Sequence, residues 1–108
     1  MELLVPWIGV DLDGTLAHTR APNTRHMIPL PVPEMVARVR AWLAEGKKVK
    51  VFTARMSQSP DLWQKRIGDW TLEFIGQRLE ATCVKDYGCI EIWDDIAVGV
   101  VQNEGRPR

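Results

Sequence analysis

An apolar run, Val5-Pro6-Trp7-Ile8-Gly9-Val10, passes directly into Asp11-Leu12-Asp13-Gly14-Thr15. A short apolar run closed by acids and a glycine predicts a buried strand that leaves its sheet at the carboxyl end, where open α/β sheets place their ligands. Asp11 and Asp13 repel one another unless a cation or a proton lies between them. This stretch calls for a sheet built around its strand, and it points to a site for a divalent cation and a phosphoryl group.

The 108 residues suffice for one domain, 1–108, with a sheet and a layer of helices but no second lobe. With 14 Lys+Arg against 14 Asp+Glu, no global field draws the chain to nucleic acid or membrane, so any binding of a polyanion must be local. No segment approaches transmembrane length. The start lacks a basic leader, and only Cys83 and Cys89 carry thiols. Both features fit a reduced cytoplasm, with the thiols expected as small buried hydrophobes rather than a disulfide or metal pair.

Beyond the first strand the chain alternates loop, helix and strand. Leu16 to Pro31 is polar and punctuated by prolines, and it carries His18, Arg20, Arg25 and His26 with no acid among them. From Pro33, the positions Met35, Val36, Val39, Trp42 and Leu43 recur on one helical face, with Gly46 as the stop and Trp42 as packing. Val49 to Phe52 reads as the next strand; completing a βαβ unit, it runs parallel to the first and brings Thr53 beside Asp11. Pro60 opens a second helix with a stripe of Leu62, Trp63, Ile67, Trp70, Phe74 and Ile75, which Gly76 ends or interrupts. Three short apolar runs follow, Thr82 to Val84, Ile90 to Trp93 and Ala97 to Val101. The gap between Val84 and Ile90 is too short for a helical crossover, so one of these segments must be irregular.

The order of motifs resembles the haloacid dehalogenase-like hydrolase superfamily over most of the chain. Val10-Asp11-Leu12-Asp13-Gly14-Thr15-Leu16 is similar to its first motif, Val51-Phe52-Thr53 to its second, Lys85 to its third and Trp93-Asp94-Asp95 to its fourth. The resemblance implies a three-layer Rossmann-like α/β fold, a mostly parallel sheet flanked by helices, and a phosphatase that works through an aspartyl-phosphate. It makes Asp11 the nucleophile and Asp13 the acid/base, with Gly14 and Thr15 at the turn that meets phosphate oxygens. It further implies Mg²⁺ held by Asp11, the Asp13 carbonyl and Asp94 or Asp95, with Thr53 bonding a phosphate oxygen and Lys85 neutralising charge. The pattern does not choose between Asp94 and Asp95, and Lys65 competes with Lys85. Read singly, Asp13-Gly14 is turn chemistry, Thr53 a helix N-cap, Lys85 a solvated charge and Asp94-Asp95 a turn.

Relatives of this type usually close the site with a cap, for which this chain has no room. A capless site suits a bulky phosphate, such as a nucleic-acid end or a phosphoprotein, or is closed by a second copy in a homo-oligomer. Arg20, Arg25 and Arg55 would grip extra phosphates, although the same loop also reads as simply solvated. The Thr-Ala-Arg pattern with a Trp-rich helix distantly resembles the phosphatase part of polynucleotide kinase/phosphatase enzymes, which favours a nucleotide or nucleic-acid end as the phosphorylated substrate. Two other classes stay open. One is a metal- and phosphate-binding module without turnover; the other is a receiver-like phosphoacceptor domain, although there the acidic pair comes early rather than last.

Overall fold

All four residues of β1 (Trp7–Val10) are buried, which marks it as an interior strand covered on both faces. In a computed structural model that describes residues 5–19 and 26–108, it is flanked by β2 (Lys48–Phe52) on one side and β4 (Cys89–Trp93) on the other. β3 (Ala81–Thr82) pairs with β2 to complete a parallel sheet of order β3-β2-β1-β4. Helix α1 (Pro33–Ala44) links β1 to β2, and α2 (Pro60–Phe74) links β2 to β3. The fold is thus α/β with an all-parallel sheet.

Strand periodicity divides the sheet into two chemically different faces. Ile8 and Val10 on β1, with Val49 and Val51 on β2, form the core together with Met35, Val36 and Val39 of α1 and Ile67 and Trp70 of α2. Both helices therefore cover this face. The steps from β1 to β2 and from β2 to β3 move the same way across the sheet, and right-handed crossovers in one direction must lie on one side. The expected helical layer on the opposite face is not formed by the described residues. The only step in the other direction, from β3 to β4, is made by the segment 83–88 without a helix.

That segment is held against Trp7, which is 1% exposed. The indole Nε1 donates to Asp86 Oδ1 at 2.8 Å, and the Trp7 amide donates to the Gly88 carbonyl at 2.8 Å. Lys50, buried on the same face, lies 4.7 Å from the Trp7 ring centroid and pairs with Glu80 at 3.3 Å and Asp86 at 4.0 Å. Hydrogen bonds from the Trp7 indole and the Gly88 amide hold Asp86 below the usual carboxylate range.

Pro33 and Pro60 open the two helices as expected, and Gly46 and Gly76 follow their ends with φ of 82° and 109°. Other expectations change. Leu62 is 45% exposed rather than part of the buried stripe. Cys83 is exposed and Cys89 half-buried, because they sit on the crossing segment and the edge strand rather than in the core. Ala97 to Val101 forms no strand: Val98 is 72% exposed, and Val100 makes only an isolated bridge to Pro107. Among the described residues no helix is long and apolar enough to cross a membrane.

A Cβ at Gly88 would lie 2.8 Å from the Val5 carbonyl and 2.9 Å from the Trp7 ring, neither of which can retreat freely. Gly88→Ala is therefore expected to cost about 1–3 kcal/mol through overpacking, measured by urea denaturation, whereas Gly46→Ala meets no contact and costs only its backbone strain.

Candidate active site

Parallel pairing of β1 with β4 aligns Val10 with Trp93, so the residues that follow each strand emerge side by side. The Asp11 amide donates to the Trp93 carbonyl at 2.9 Å, extending the pairing by one step. Oxygens of Asp11, Asp94 and Asp95 consequently converge within 4.8 Å of one another. The place follows from the topology: β1 feeds α1 on one side while β4 is reached over the other face, and the crevice between such strands is where α/β sheets bind ligands.

The turn after β1 is tightly bonded. The Ala17 amide donates to the Leu12 carbonyl and the Gly14 amide to the Ala17 carbonyl, both at 2.8 Å, while the Thr15 amide reaches the Leu12 carbonyl at 3.3 Å. The Gly14 and Thr15 amides expected to meet phosphate are thus engaged within the turn. Gly14 has φ of 89°, and a Cβ there would stand 2.7 Å from Asp95 Oδ2. Glycine is required both for the left-handed backbone and for the room that Asp95 occupies. The Thr15 hydroxyl lies 3.1 Å from Asp95 Oδ1 and 3.4 Å from Asp11 Oδ2, and accepts from the Asp95 amide at 3.1 Å. Its observed role is to fasten the two strand ends together. Asp94 Oδ1 accepts from the Ile96 amide at 2.9 Å, which sets the turn after β4.

Burial first, and then the charges of Asp94, Asp95 and Asp13, raise the Asp11 carboxyl from 3.8 to about 7; a hydrogen bond with Asp95 contributes as well. All the converging donors are carboxylate oxygens, the donor set of a hard cation such as Mg²⁺.

Asp13 points elsewhere. Its two carboxylate oxygens accept from Arg55 Nε at 2.9 Å and from an Arg55 terminal nitrogen at 2.7 Å, a two-point ion pair in which the Arg55 side chain is only 12% exposed. The same guanidinium donates to the Met27 carbonyl at 3.0 Å and lies 4.5 Å from the Trp63 ring centroid. Arg55, expected on substrate phosphate, is here the partner of Asp13.

No family model, curated protein or solved structure matches the chain.

The remaining expected residues divide. Thr53 is buried one step beyond β2, where the pairing of Val10 with Val51 brings it level with Leu12, and its hydroxyl accepts from the Arg55 amide at 3.2 Å as the N-cap of a 3₁₀ turn over Ala54–Ser57. Lys85 is exposed and forms no ion pair with Asp11, Asp13, Asp94 or Asp95; it borders a cleft with Cys89 and Glu91. Lys65 pairs with Asp69 at 3.0 Å. His18 and His26 are exposed, whereas Arg20 and Arg25 lie outside the described residues. The pairing of Asp13 with Arg55 and the stacking on Trp63 were not foreseen; a basic residue two after the Thr53 strand end was the only local signal for them.

In chelator, folded Asp11 holds its proton between pH 3.8 and about 7 while unfolded Asp11 has lost it, so stability falls as pH rises across that window, and above it the ionised Asp11 is a full penalty on the fold that Asn does not carry. Asp11→Asn is expected to remove this component, leaving a variant that melts higher than the parent at pH 8 but not at pH 4, as read by circular dichroism. Gly14→Ala is expected to destabilise the fold by about 1–3 kcal/mol in urea denaturation, because its left-handed backbone is strained and Asp95 must move.

Proposed function

We propose that the chain is a Mg²⁺-dependent phosphomonoesterase of the haloacid dehalogenase-like type, with Asp11 as nucleophile and Asp13 as acid/base. The observation that carries this reading is the convergence of Asp11 with Asp94 and Asp95 at the ends of β1 and β4, with Asp13 one turn away.

Asp11, Asp94 and Asp95 would hold the ion, which when bound supplies the positive charge that keeps Asp11 ionised and offsets its repulsion by the phosphate. An Asp11 carboxylate oxygen attacks phosphorus; the new O–P bond forms as the ester P–O bond breaks, and Asp13, protonated from solvent on the oxygen that one Arg55 bond releases, delivers that proton to the departing oxygen. Water then attacks the aspartyl-phosphate, the Asp11 O–P bond breaks, and Asp13 takes the water's proton. Both Asp13 oxygens are engaged by Arg55, so each transfer requires one of those two bonds to open while the other keeps the carboxylate aimed. Arg55 is thus a positioning residue. The three-layer fold belongs to this proposal too, with segment 83–88 in the place of the second helical layer.

A second reading, a cation- and phosphate-binding module without turnover, is favoured by the placement of Lys85 away from the acids and by the closed ion pair at Asp13. Assay with para-nitrophenyl phosphate and nucleotides separates the two. The phosphatase reading expects phosphate release that needs Mg²⁺, falls about a thousandfold or more in Asp11→Asn, and drops roughly tenfold in kcat in Arg55→Lys. Mg²⁺ and phosphate binding without release would establish the module instead.

A further inference from the structure

Beside the Asp13–Arg55 pair a groove of about 400 Å³ runs along α2, walled by Trp63, Arg66 and Trp70 on the helix and by His26 to Ile28 on the facing segment. The α2 positions 63, 66, 70 and 73 recur at the helical repeat and so share one stripe. The facing segment is fastened to that stripe: Trp70 Nε1 donates to the Pro29 carbonyl at 3.1 Å and Arg66 to the His26 carbonyl at 3.1 Å. The groove is therefore formed before any ligand arrives. It opens next to Asp13, because the guanidinium that holds Asp13 lies against Trp63 and bonds the Met27 carbonyl.

We propose that this groove takes the nucleoside part of a nucleoside monophosphate whose phosphate reaches the acids; the substrate assignment rests on the phosphatase reading, the nucleoside site does not. The near part offers the Trp63 indole edge and the Arg66 guanidinium, 5.3 Å from the Trp63 ring centroid, to a planar ring, while the buried Trp70 serves as its floor. Asp69 also lines the groove, and Glu73, in the last turn of α2, stands at its far part. Asp69 is already paired with Lys65 and Arg78, while Glu73 is exposed and forms no ion pair with another described residue. A carboxylate there accepts from ring N–H and amino groups of a base, and it opposes a second phosphate. The groove thus suits one base and one sugar rather than a continuing strand. The same base chemistry is offered by a nucleic-acid end, and charge at the far part distinguishes the two.

Two measurements test this. Adenosine, guanosine, cytidine and uridine, none carrying phosphate, are titrated into the chain and into Arg66→Ala and Glu73→Lys while tryptophan fluorescence is followed. Saturable quenching by at least one nucleoside, weakened at least fivefold in Arg66→Ala with an unchanged circular dichroism spectrum, is expected. Where Arg66→Ala does not fold, Glu73→Lys serves instead, with binding of the same nucleoside weakened at least threefold. In kinetics, Arg66→Ala should raise KM for the matching monophosphate at least fivefold more than for para-nitrophenyl phosphate. Glu73→Lys should improve a short oligonucleotide carrying a terminal phosphate relative to the mononucleotide. No saturable nucleoside binding, or equal KM changes for both esters, overturns the proposal; a parent that prefers the oligonucleotide overturns the choice of a mononucleotide. Nucleoside binding that responds to these substitutions in a protein that releases no phosphate would leave the groove standing and remove the phosphatase reading alone.

Discussion

Three carboxylates fixed at the ends of two neighbouring strands cannot all ionise together without a compensating charge. Asp11, Asp94 and Asp95 are held in that position by the pairing of β1 with β4 and by the Thr15 hydroxyl that ties the two turns. With Asp11 raised to about 7, the cluster resolves its repulsion near neutrality by keeping a proton, and a cation offers the alternative resolution. Around the cluster, Gly14 leaves just the room Asp95 occupies, and Asp13 is turned to Arg55.

The second face of the sheet shows how a small chain brings β4 to that edge. Placing β4 beside β1 requires a return across the sheet, and segment 83–88 makes it without a helix. Trp7 takes the place of a packed layer, with Gly88 close against its ring and Asp86 bonded to its nitrogen. Lys50 is buried there only because Glu80, Asp86 and the Trp7 ring meet its charge. The acidic site thus depends on an indole on the opposite face, through the strand that this indole helps to position.

Much of this was legible in the sequence. The run into Asp11, the prolines that open both helices and the Gly46 stop are local signals, and β1, α1, β2 and α2 stand where they indicate. The meeting of Asp11 with Asp94-Asp95 was implied only by the motif order that resembles the haloacid dehalogenase-like superfamily, since the short gap from Val84 to Ile90 left the placement of the last strand open. What could not be read depended on side chains meeting across the fold. Arg55 turns to Asp13 because Trp63 and the Met27 carbonyl hold it there, and nothing local in Thr53-Ala54-Arg55 specifies those contacts. Lys85 follows a strand of only two residues, so the crossing segment, not strand register, decides where it sits. Ala97 to Val101 is apolar enough for a strand, yet it has no neighbouring strand to complete the pairing.

The central claim is that Asp11 exchanges a proton for a cation at neutral pH. Calorimetric titration of Mg²⁺ at pH 7 in two buffers of different ionisation enthalpy tests it most directly, because buffer-dependent heat counts the protons released. The account predicts binding accompanied by proton release, with the release abolished in Asp11→Asn. Absence of Mg²⁺ binding, or the same buffer-dependent heat in the parent and in Asp11→Asn, would contradict it.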